Sequence, residues 1–225
     1  MTNFAQPQRV RPAALRPGDT VGIIAPAGVI EPDGLEAGCA WLMRKGFQPF
    51  YLPSILDRDL YFAGSAGRRL DEFHEMFSRP EVKAIICARG GYGSNYLLAD
   101  LDLKLVRANP KIFCGCSDVT TLLTYLCDRA GMVTFHGPML NVDVRPDGVD
   151  EESWSAALTS GEAYRRKFSS DEVQRWSRAV GKACSTEAVC RFCARLSEPR
   201  MRSTLAARFC FSRIWQSRHI ASIAC

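Results

Sequence analysis

Short apolar segments alternate with amphipathic segments along the first 140 residues of the chain. The apolar segments are bounded by Gly, Pro or polar residues, and they predict β-strands that begin at residues 20, 48, 82, 111 and 132. Apolar residues recur three or four positions apart over 31–47, 66–80 and 119–131, which predicts a helix in each range. The stretch "NYLLADLD" is predicted to open a further helix at residue 95.

This alternation predicts an α/β fold, with a mostly parallel sheet covered by helices on both faces. Functional groups in such folds gather beyond the carboxyl ends of the strands. Three of the predicted strand ends carry unusual residues: "ARGGYGS" (88–94), "CGCSD" (114–118) and "TFHGPM" (134–139). Their convergence at one edge of the sheet is the main functional signal in the sequence.

The chain has 225 residues, of which 47% are hydrophobic and 24% are charged, so it can bury a sizeable core. Its formal charge of +5 is unevenly distributed. From Arg165 onward Lys+Arg number 13 against 4 Asp+Glu, whereas residues 1–164 hold 16 against 20. Because no aromatic and basic module accompanies the basic end, we expect a basic tail and no nucleic-acid partner.

No segment has the apolar core of a signal peptide or approaches the ~18 apolar residues of a membrane span. We therefore expect a cytoplasmic protein without a membrane partner, whose ten cysteines are thiols. Cys190 and Cys193 form a CxxC pair, but no second pair completes a zinc site, and His219 is distant and alone. We expect neither a metal nor another cofactor.

Ser117 lies where a buried strand meets a helix. A serine on a tight turn at this place presents its hydroxyl outward, near the positive end of the helix dipole, as a nucleophile does. The backbone N–H of Asp118 would then be free to stabilise an oxyanion. The alternative is structural, because Ser117 or Asp118 could simply cap the helix. No glycine follows the serine, so the stretch departs from the G-x-S-x-G elbow.

The glycines of "ARGGYGS" have three interpretations. They could only make a tight turn. They could bind phosphate, although Gly90, Gly91 and Gly93 match neither the Walker nor the dinucleotide spacing. Gly91 could also bring a bare backbone N–H close to a reacting carbonyl.

Three side chains in these motifs are candidates for contact with a substrate: Arg89, Tyr92 and His136. Arg89 could hold an anionic group of the substrate, or it could tie down its own loop. His136 could act as a general base, or it could only hydrogen-bond to backbone at a strand end.

The stretches "GDTVGIIAPAG", "ARGGYGS", "GCSDVTTLL" and "TFHGPM", in this order and spacing, resemble the LD-carboxypeptidases, the murein tetrapeptide carboxypeptidases of serine peptidase family S66. The resemblance runs from about Arg16 to about Ala183. It implies a flavodoxin-like N-terminal domain, a nucleophilic Ser117 and an oxyanion hole from the backbone N–H groups of Gly91 and Asp118. The implied reaction removes the terminal D-alanine from a muropeptide tetrapeptide in cell-wall recycling. The partner is then a small peptide substrate, and a homodimer is left open.

The resemblance also implies a Ser-His-Glu triad whose Glu and His come from a C-terminal domain, with the Glu in an "ILFLED"-like strand. This sequence contains no such strand, and residues 182–225 lack glycine, aspartate, asparagine and tyrosine. From the third base of the Cys184 codon, available codon choices turn "CSTEAVCRFCARLSEPRM" into the glycine-rich "FYGGCLSILCASLGTPY". The same offset turns "RFCFSRI" into "ILFLED". We infer a frameshift near Cys184.

The sequence therefore predicts three parts: an LD-carboxypeptidase N-terminal domain carrying the nucleophile over 1–145, a linker and start of a C-terminal domain over 146–183, and an aberrant tail over 184–225. We expect the tail to be irregular or helical, and the chain as written to be a poor catalyst without the Glu and His. Two alternatives remain: a peptidase that gives immunity to peptide-nucleotide antibiotics, which shares these motifs, and a pocket that binds a small ligand without chemistry.

Overall fold

A six-stranded sheet forms the centre of the computed structural model, which describes residues 9–144, 148–161 and 223–224. The strands are β1 Thr20–Ile24, β2 Gln48–Phe50, β3 Val82–Cys87, β4 Ile112–Gly115, β5 Phe135–His136 and β6 Ile223–Ala224. They lie in the order β2-β1-β3-β4-β5-β6, and β1 to β5 are parallel. The order of those five strands is that of flavodoxin, so the predicted α/β class is confirmed.

Five α-helices surround the sheet within the described ranges. They are α1 Pro32–Arg44, α2 Ala66–Ser78, α3 Leu103–Ala108, α4 Thr120–Tyr125 and α5 Glu151–Thr159. A π-helical turn, Leu126–Ala130, continues α4. None of the helices in these ranges is long and apolar enough to cross a membrane.

The alternation of side chains along each strand divides the core into two layers. In β1, Val21 and Ile23 pack with the apolar residues of α1 and α5 on one face of the sheet. Ile24 points to the other face and packs with the apolar residues of α2 and α4. All three side chains are fully buried. After Thr20, β1 is therefore buried on both faces and carries no polar side chain, as is typical of a central parallel strand.

Two predicted elements are shorter or later than expected. The helix predicted to open at residue 95 is only a 3₁₀ turn, Ser94–Leu97, and α3 begins at Leu103. The carboxylate of Asp102 sets that start, because it accepts hydrogen bonds from the first free N–H groups of the helix. The strand predicted from residue 132 joins the sheet only over β5, and Met132 forms just an isolated bridge with Val10. The chain then crosses the end of β3, where Leu140 N–H donates to the Cys87 carbonyl at 3.2 Å.

Helix α5 lies in the stretch predicted as a linker, and it packs on α1. The ring centroids of Trp154 and Trp41 are 4.6 Å apart, in an edge-to-face arrangement. The indole N–H of Trp41 donates to the Glu151 carboxylate at 2.9 Å. Trp154 and Leu158 of α5 thus share a core with β1 and α1, and the division of the whole chain into parts stays a prediction.

The tail predicted over 184–225 is described only at β6. Its two residues pair antiparallel with β5, Ile223 opposite His136 and Ala224 opposite Phe135. At these two positions the expectation of irregular or helical structure is wrong, because β5 presents an unpaired edge with which an extended segment can form hydrogen bonds. Residues 184–222 and Cys225 lie outside the described residues, as do the CxxC pair and His219.

Candidate active site

Ser117 follows β4 directly and stands in a strained backbone conformation. Its φ of 55° is one of two positive values among the non-glycine residues that the structure describes, the other being that of Leu60. A side chain in this left-handed region costs about 1–2 kcal/mol. Such strain recurs where a serine is held on a sharp strand-to-helix turn. The sequence pattern, in which one serine lies between a buried strand and a helix, therefore indicated the right position. The positive φ of Ser117 itself is not predicted by the conformational preference of serine.

The residues around Ser117 make this turn sharp. Gly115 has no room for a side chain, because a Cβ there would lie 2.7 Å from Cγ1 of Val119 and 3.2 Å from Cβ of Cys87. Val119 and Cys116 are buried on either side of the half-exposed Ser117. A 3₁₀ turn, Ser117–Val119, then leads into α4. The start of the helix thus folds tightly over the end of the strand.

The capping interpretation of Ser117 and Asp118 is wrong in this structure. Neither the 3₁₀ turn nor α4 has a side-chain hydrogen bond at its N-cap. The carboxylate of Asp118 instead accepts a hydrogen bond from the backbone N–H of Ser94 at 2.9 Å, and the Ser94 hydroxyl donates to the Asp118 carbonyl at 2.9 Å. The hydroxyl of Ser117 makes no hydrogen bond to any described residue.

The glycine-rich loop after β3 lies directly against the Ser117 turn. A Cβ on Gly90 would be 3.4 Å from both the Asp118 nitrogen and the Ser117 Cβ. The Gly90 carbonyl accepts a hydrogen bond from Gly28 N–H at 3.0 Å, which ties the loop to the segment after β1. Gly91 has a φ of 110°. The glycines of this loop therefore allow both a tight turn and a close approach of the backbone to Ser117.

Two backbone N–H groups near Ser117 are unused within the described ranges. Neither the N–H of Gly91 nor that of Asp118 donates a hydrogen bond to a described residue. The Asp118 N–H belongs to the first turn of a helix, where N–H groups have no intrahelical acceptor. A pair of such donors beside a serine hydroxyl can stabilise negative charge on a substrate oxygen.

Arg89 and Tyr92, two of the predicted substrate contacts, have partners of their own. The Arg89 guanidinium donates to the Val29 carbonyl at 2.7 Å, so it ties the loop after β3 to the loop after β1. Tyr92 is half-exposed, and its hydroxyl lies 3.0 Å from that of Tyr96. These contacts favour a role for Arg89 in holding the loops, and contact with a substrate stays a prediction for both residues.

His136 ends β5 and is the register partner of Gly115 on β4, two residues before Ser117. Burial lowers the pKa of His136, so its imidazole is neutral at pH 7 and able to accept a proton. No hydrogen bond joins it to Ser117 in the part of the chain that the structure describes. The structure therefore brings His136 to the same sheet edge without connecting it to the serine.

Sequence reasoning missed a charged cluster on α2, beneath these loops. Arg69 is 2% exposed, and its guanidinium donates to the carbonyls of Pro26 at 2.7 Å and Gly93 at 2.9 Å. Glu72 is 1% exposed and accepts hydrogen bonds from Ala25 N–H at 2.9 Å and Arg68 at 3.0 Å. The only signal was that charged residues interrupt the apolar face of a predicted helix.

Burial raises the pKa of Glu72 to about 7, although the Arg68 guanidinium and the Ala25 N–H oppose this shift. The cluster fixes the segment after β1 to the glycine-rich loop.

No group of three His, Cys, Asp or Glu side chains suited to a metal ion occurs within the described ranges.

The order of strands and the loops at their carboxyl ends define a doubly wound α/β protein with a strained serine at one strand end. The sequence profile of the LD-carboxypeptidase N-terminal domain, from the peptidase S66 family, matches residues 21–137. The match spans half of the chain, and the chain belongs to this family.

Named relatives agree with the family match. The chain is 44% identical over 139 residues to a probable murein peptide carboxypeptidase of Bacillus subtilis, a match covering 62% of this chain and 44% of that protein. The crystal structure of muramoyltetrapeptide carboxypeptidase from Oxalobacter formigenes is similar with a TM-score of 0.58 and 31% identity, over 63% of this chain and 48% of that one.

A structure of the microcin C7 self-immunity protein MccF with aspartyl sulfamoyl adenosine is also similar, with a TM-score of 0.63 and 32% identity. It covers 68% of this chain and 48% of that one. The chain thus spans about half the length of the relatives that it matches.

Proposed function

We propose that Ser117 is the nucleophile of a serine carboxypeptidase. The observation that carries this proposal is the φ of 55° at Ser117, at the carboxyl end of a central strand. Backbone strain persists only where the surrounding structure maintains it, and it concentrates at active sites. The tight packing of Gly115 and Gly90 against the turn maintains it here.

The two unused N–H groups, of Gly91 and Asp118, form the proposed oxyanion hole. In the reaction, Ser117 Oγ bonds to the carbonyl carbon of an L,D-peptide bond while its proton passes to a base. The carbonyl oxygen becomes an anion that accepts hydrogen bonds from both N–H groups. The C–N bond then breaks, the amine of D-alanine leaves with a proton, and water hydrolyses the serine ester.

The proposed substrate is a murein tetrapeptide, from which the terminal D-alanine is removed. The names of the Bacillus subtilis and Oxalobacter formigenes relatives support this substrate class. We further propose that the protein acts in the cytoplasm, in peptidoglycan recycling, where such soluble peptides are substrates. Arg89, Tyr92 and His136 are the proposed contacts for the substrate.

Cleavage of an acyl-sulfamoyl adenylate is the competing activity, since the structure of MccF with aspartyl sulfamoyl adenosine is also similar. The test offers both compounds to a chain whose reading frame is restored from Cys184, beside its Ser117→Ala variant. Release of D-alanine that depends on Ser117 supports the proposal. Cleavage of aspartyl sulfamoyl adenosine alone would favour the immunity function. Turnover of neither compound would favour a pocket that binds a ligand without chemistry.

We also propose that residues 184–225 are a shifted reading of the C-terminal domain that supplies the base. The support is compositional, because all 17 glycines precede Lys182, and codon choices for "RFCFSRI" exist that encode the expected "ILFLED" in a neighbouring frame. Sequencing the gene around codons 180–190 tests this proposal. A gene sequence that encodes the present frame in independent isolates, without the shift, would refute it.

A further inference from the structure

Two hydrogen bonds join the glycine-rich loop to the turn that carries Ser117. Ser94 supplies both donors: its N–H is 2.9 Å from Oδ2 of Asp118, and its hydroxyl is 2.9 Å from the Asp118 carbonyl. Ser94 is fully buried, so water does not compete for these bonds. A single residue of one loop thus holds both the side chain and the backbone of a single residue of the other.

Ser94 is itself held from behind by α2. The preceding residue, Gly93, has a φ of 115°, and its carbonyl accepts a hydrogen bond from the buried Arg69 guanidinium at 2.9 Å. The same guanidinium binds the Pro26 carbonyl and lies 5.0 Å from the ring centroid of Phe62. The position of Ser94 is therefore set by α2 and the segment after β1 as well as by the glycine-rich loop itself.

We propose that Ser94 and the Asp118 side chain are positioning residues that set the separation of the two oxyanion donors. This inference rests on the proposed function. Gly91 N–H lies three residues before Ser94, and Asp118 N–H belongs to the residue that Ser94 binds. Both N–H groups belong to the two loops that meet at the strained turn. Without the two hydrogen bonds between Ser94 and Asp118, these loops could shift relative to each other. A displacement of about 1 Å between catalytic groups can cost about 100-fold in rate.

The first test measures the positions directly, in the 225-residue chain. Amide order parameters of Gly91 and Asp118 are compared by NMR in the parent, Ser94→Ala and Asp118→Ala. We expect them to fall from a rigid value of about 0.85 toward about 0.6 in both variants. Asp118→Asn keeps an acceptor oxygen, so it should lower the order parameters less. It also provides a second variant in case Asp118→Ala does not fold. Unchanged order at both amides in Ser94→Ala and Asp118→Ala would overturn the proposal.

Ser78→Ala is the matched control, because Ser78 also donates its hydroxyl to a carbonyl, that of Glu75, but at the exposed end of α2. It should leave the order of both amides unchanged. A variant that only loosened the fold would lower the order parameters throughout the domain and the melting temperature with them. The positioning role predicts a change confined to the two loops.

The second test measures transition-state binding with N-acetyl-L-boroalanine, followed by ¹¹B NMR. Ser117 Oγ adds to boron, the hydroxyl proton passes to water, and the anionic tetrahedral adduct resembles the proposed intermediate. We expect Ser94→Ala to weaken its affinity at least about 10-fold, since loss of one oxyanion donor costs about 100- to 1000-fold. Ser78→Ala should change it less than about twofold.

The two proposals give different results. A parent chain that takes up no more boronate than Ser117→Ala counts against the nucleophile, and the positioning role then depends on the order parameters alone. A parent that binds boronate through Ser117, with equal affinity in Ser94→Ala, would overturn the positioning role and leave the nucleophile in place.

Discussion

The hydroxyl of Tyr61 occupies the space in which a side chain on Gly91 would begin, 2.2 Å from the position of its Cβ. Residue 91 must therefore be glycine for two reasons, since its φ of 110° also excludes other residues. The ring of Tyr61 lies 5.6 Å from that of Phe62, in an edge-to-face arrangement. The loop before α2 thus fixes the path of the glycine-rich loop beside Ser117.

Gly91→Ala is expected to displace this loop and to abolish boronate binding at Ser117. Gly18→Ala is the matched control, because Gly18 also has a positive φ, 89°, but has nothing within 4 Å of a Cβ. The control should lose only about 1–2 kcal/mol of unfolding free energy, from backbone strain. Urea unfolding and boronate titration of both variants check the prediction. Equal effects of the two substitutions on boronate affinity would contradict it.

Replacing Ser117 by glycine should stabilise the protein relative to replacing it by alanine. Both variants lack the hydroxyl, but glycine adopts a φ of 55° without the clash of a Cβ. We expect Ser117→Gly to exceed Ser117→Ala by about 1 kcal/mol in unfolding free energy. Urea denaturation of the two variants measures this difference. If Ser117→Ala proved equally stable or more stable, the turn would not be strained at residue 117.

Glu72 should make the stability of the fold fall as the pH rises. Burial raises the pKa of Glu72 from its ordinary 4.5 to about 7, so between these values the folded state binds a proton that the unfolded state has lost. The contribution is complete below about pH 4.5 and is lost as the pH rises through about 7. A shift of this size corresponds to an unfolding free energy on the order of 3 kcal/mol.

Glu72→Gln should remove that dependence. Urea unfolding of parent and variant at about pH 5 and about pH 8 measures it, and the parent should lose more stability over this range than Glu72→Gln does. Glu75→Gln, at a partly exposed carboxyl on the same helix, is the control and should behave as the parent does. Parallel pH profiles for parent and Glu72→Gln would show that Glu72 does not titrate in this range.

The cysteines beside Ser117 should be unreactive in the folded protein. Burial raises the pKa of the Cys114 thiol to about 12. Burial, followed by the Asp143 carboxylate, raises the pKa of Cys116 further still. Because the thiolate is the reactive form, iodoacetamide at neutral pH should leave both residues unmodified until urea unfolds the chain. Peptide mass spectrometry locates the label, and rapid labelling of Cys116 under native conditions would contradict the packing described for the turn.

The 225-residue chain by itself should be a poor carboxypeptidase. No described residue hydrogen-bonds to the Ser117 hydroxyl, and a serine without a base is a weak nucleophile. Binding and the oxyanion hole alone give about 10³–10⁴-fold acceleration over water. Release of D-alanine by the chain and by its Ser117→Ala variant measures what remains. Robust release that vanishes in Ser117→Ala would require a base elsewhere in this chain, and His136 would be the first candidate to replace.

The succession of strands and helices and the three motifs at the strand ends could be predicted from the sequence. Apolar periodicity is a local property, and parallel strands bring their carboxyl ends to one edge whatever the loops do. The pattern over 119–131 therefore indicated a helix correctly, and "CGCSD" indicated its sharp start. Local signals failed at residue 95, where the Asp102 carboxylate delays the helix.

The roles of Ser117 and Asp118 could not be predicted from the sequence, because they depend on contacts made in the folded protein. Both residues have strong capping preferences, and those preferences gave way because Ser94, 24 positions away from Asp118, supplies the hydrogen bonds instead. The positive φ at Ser117 arises from packing of Gly115 and Gly90 against the turn, and these contacts join separate segments. Interactions between residues distant in sequence leave no periodic trace, so they became visible only when the loops after β3 and β4 were placed side by side.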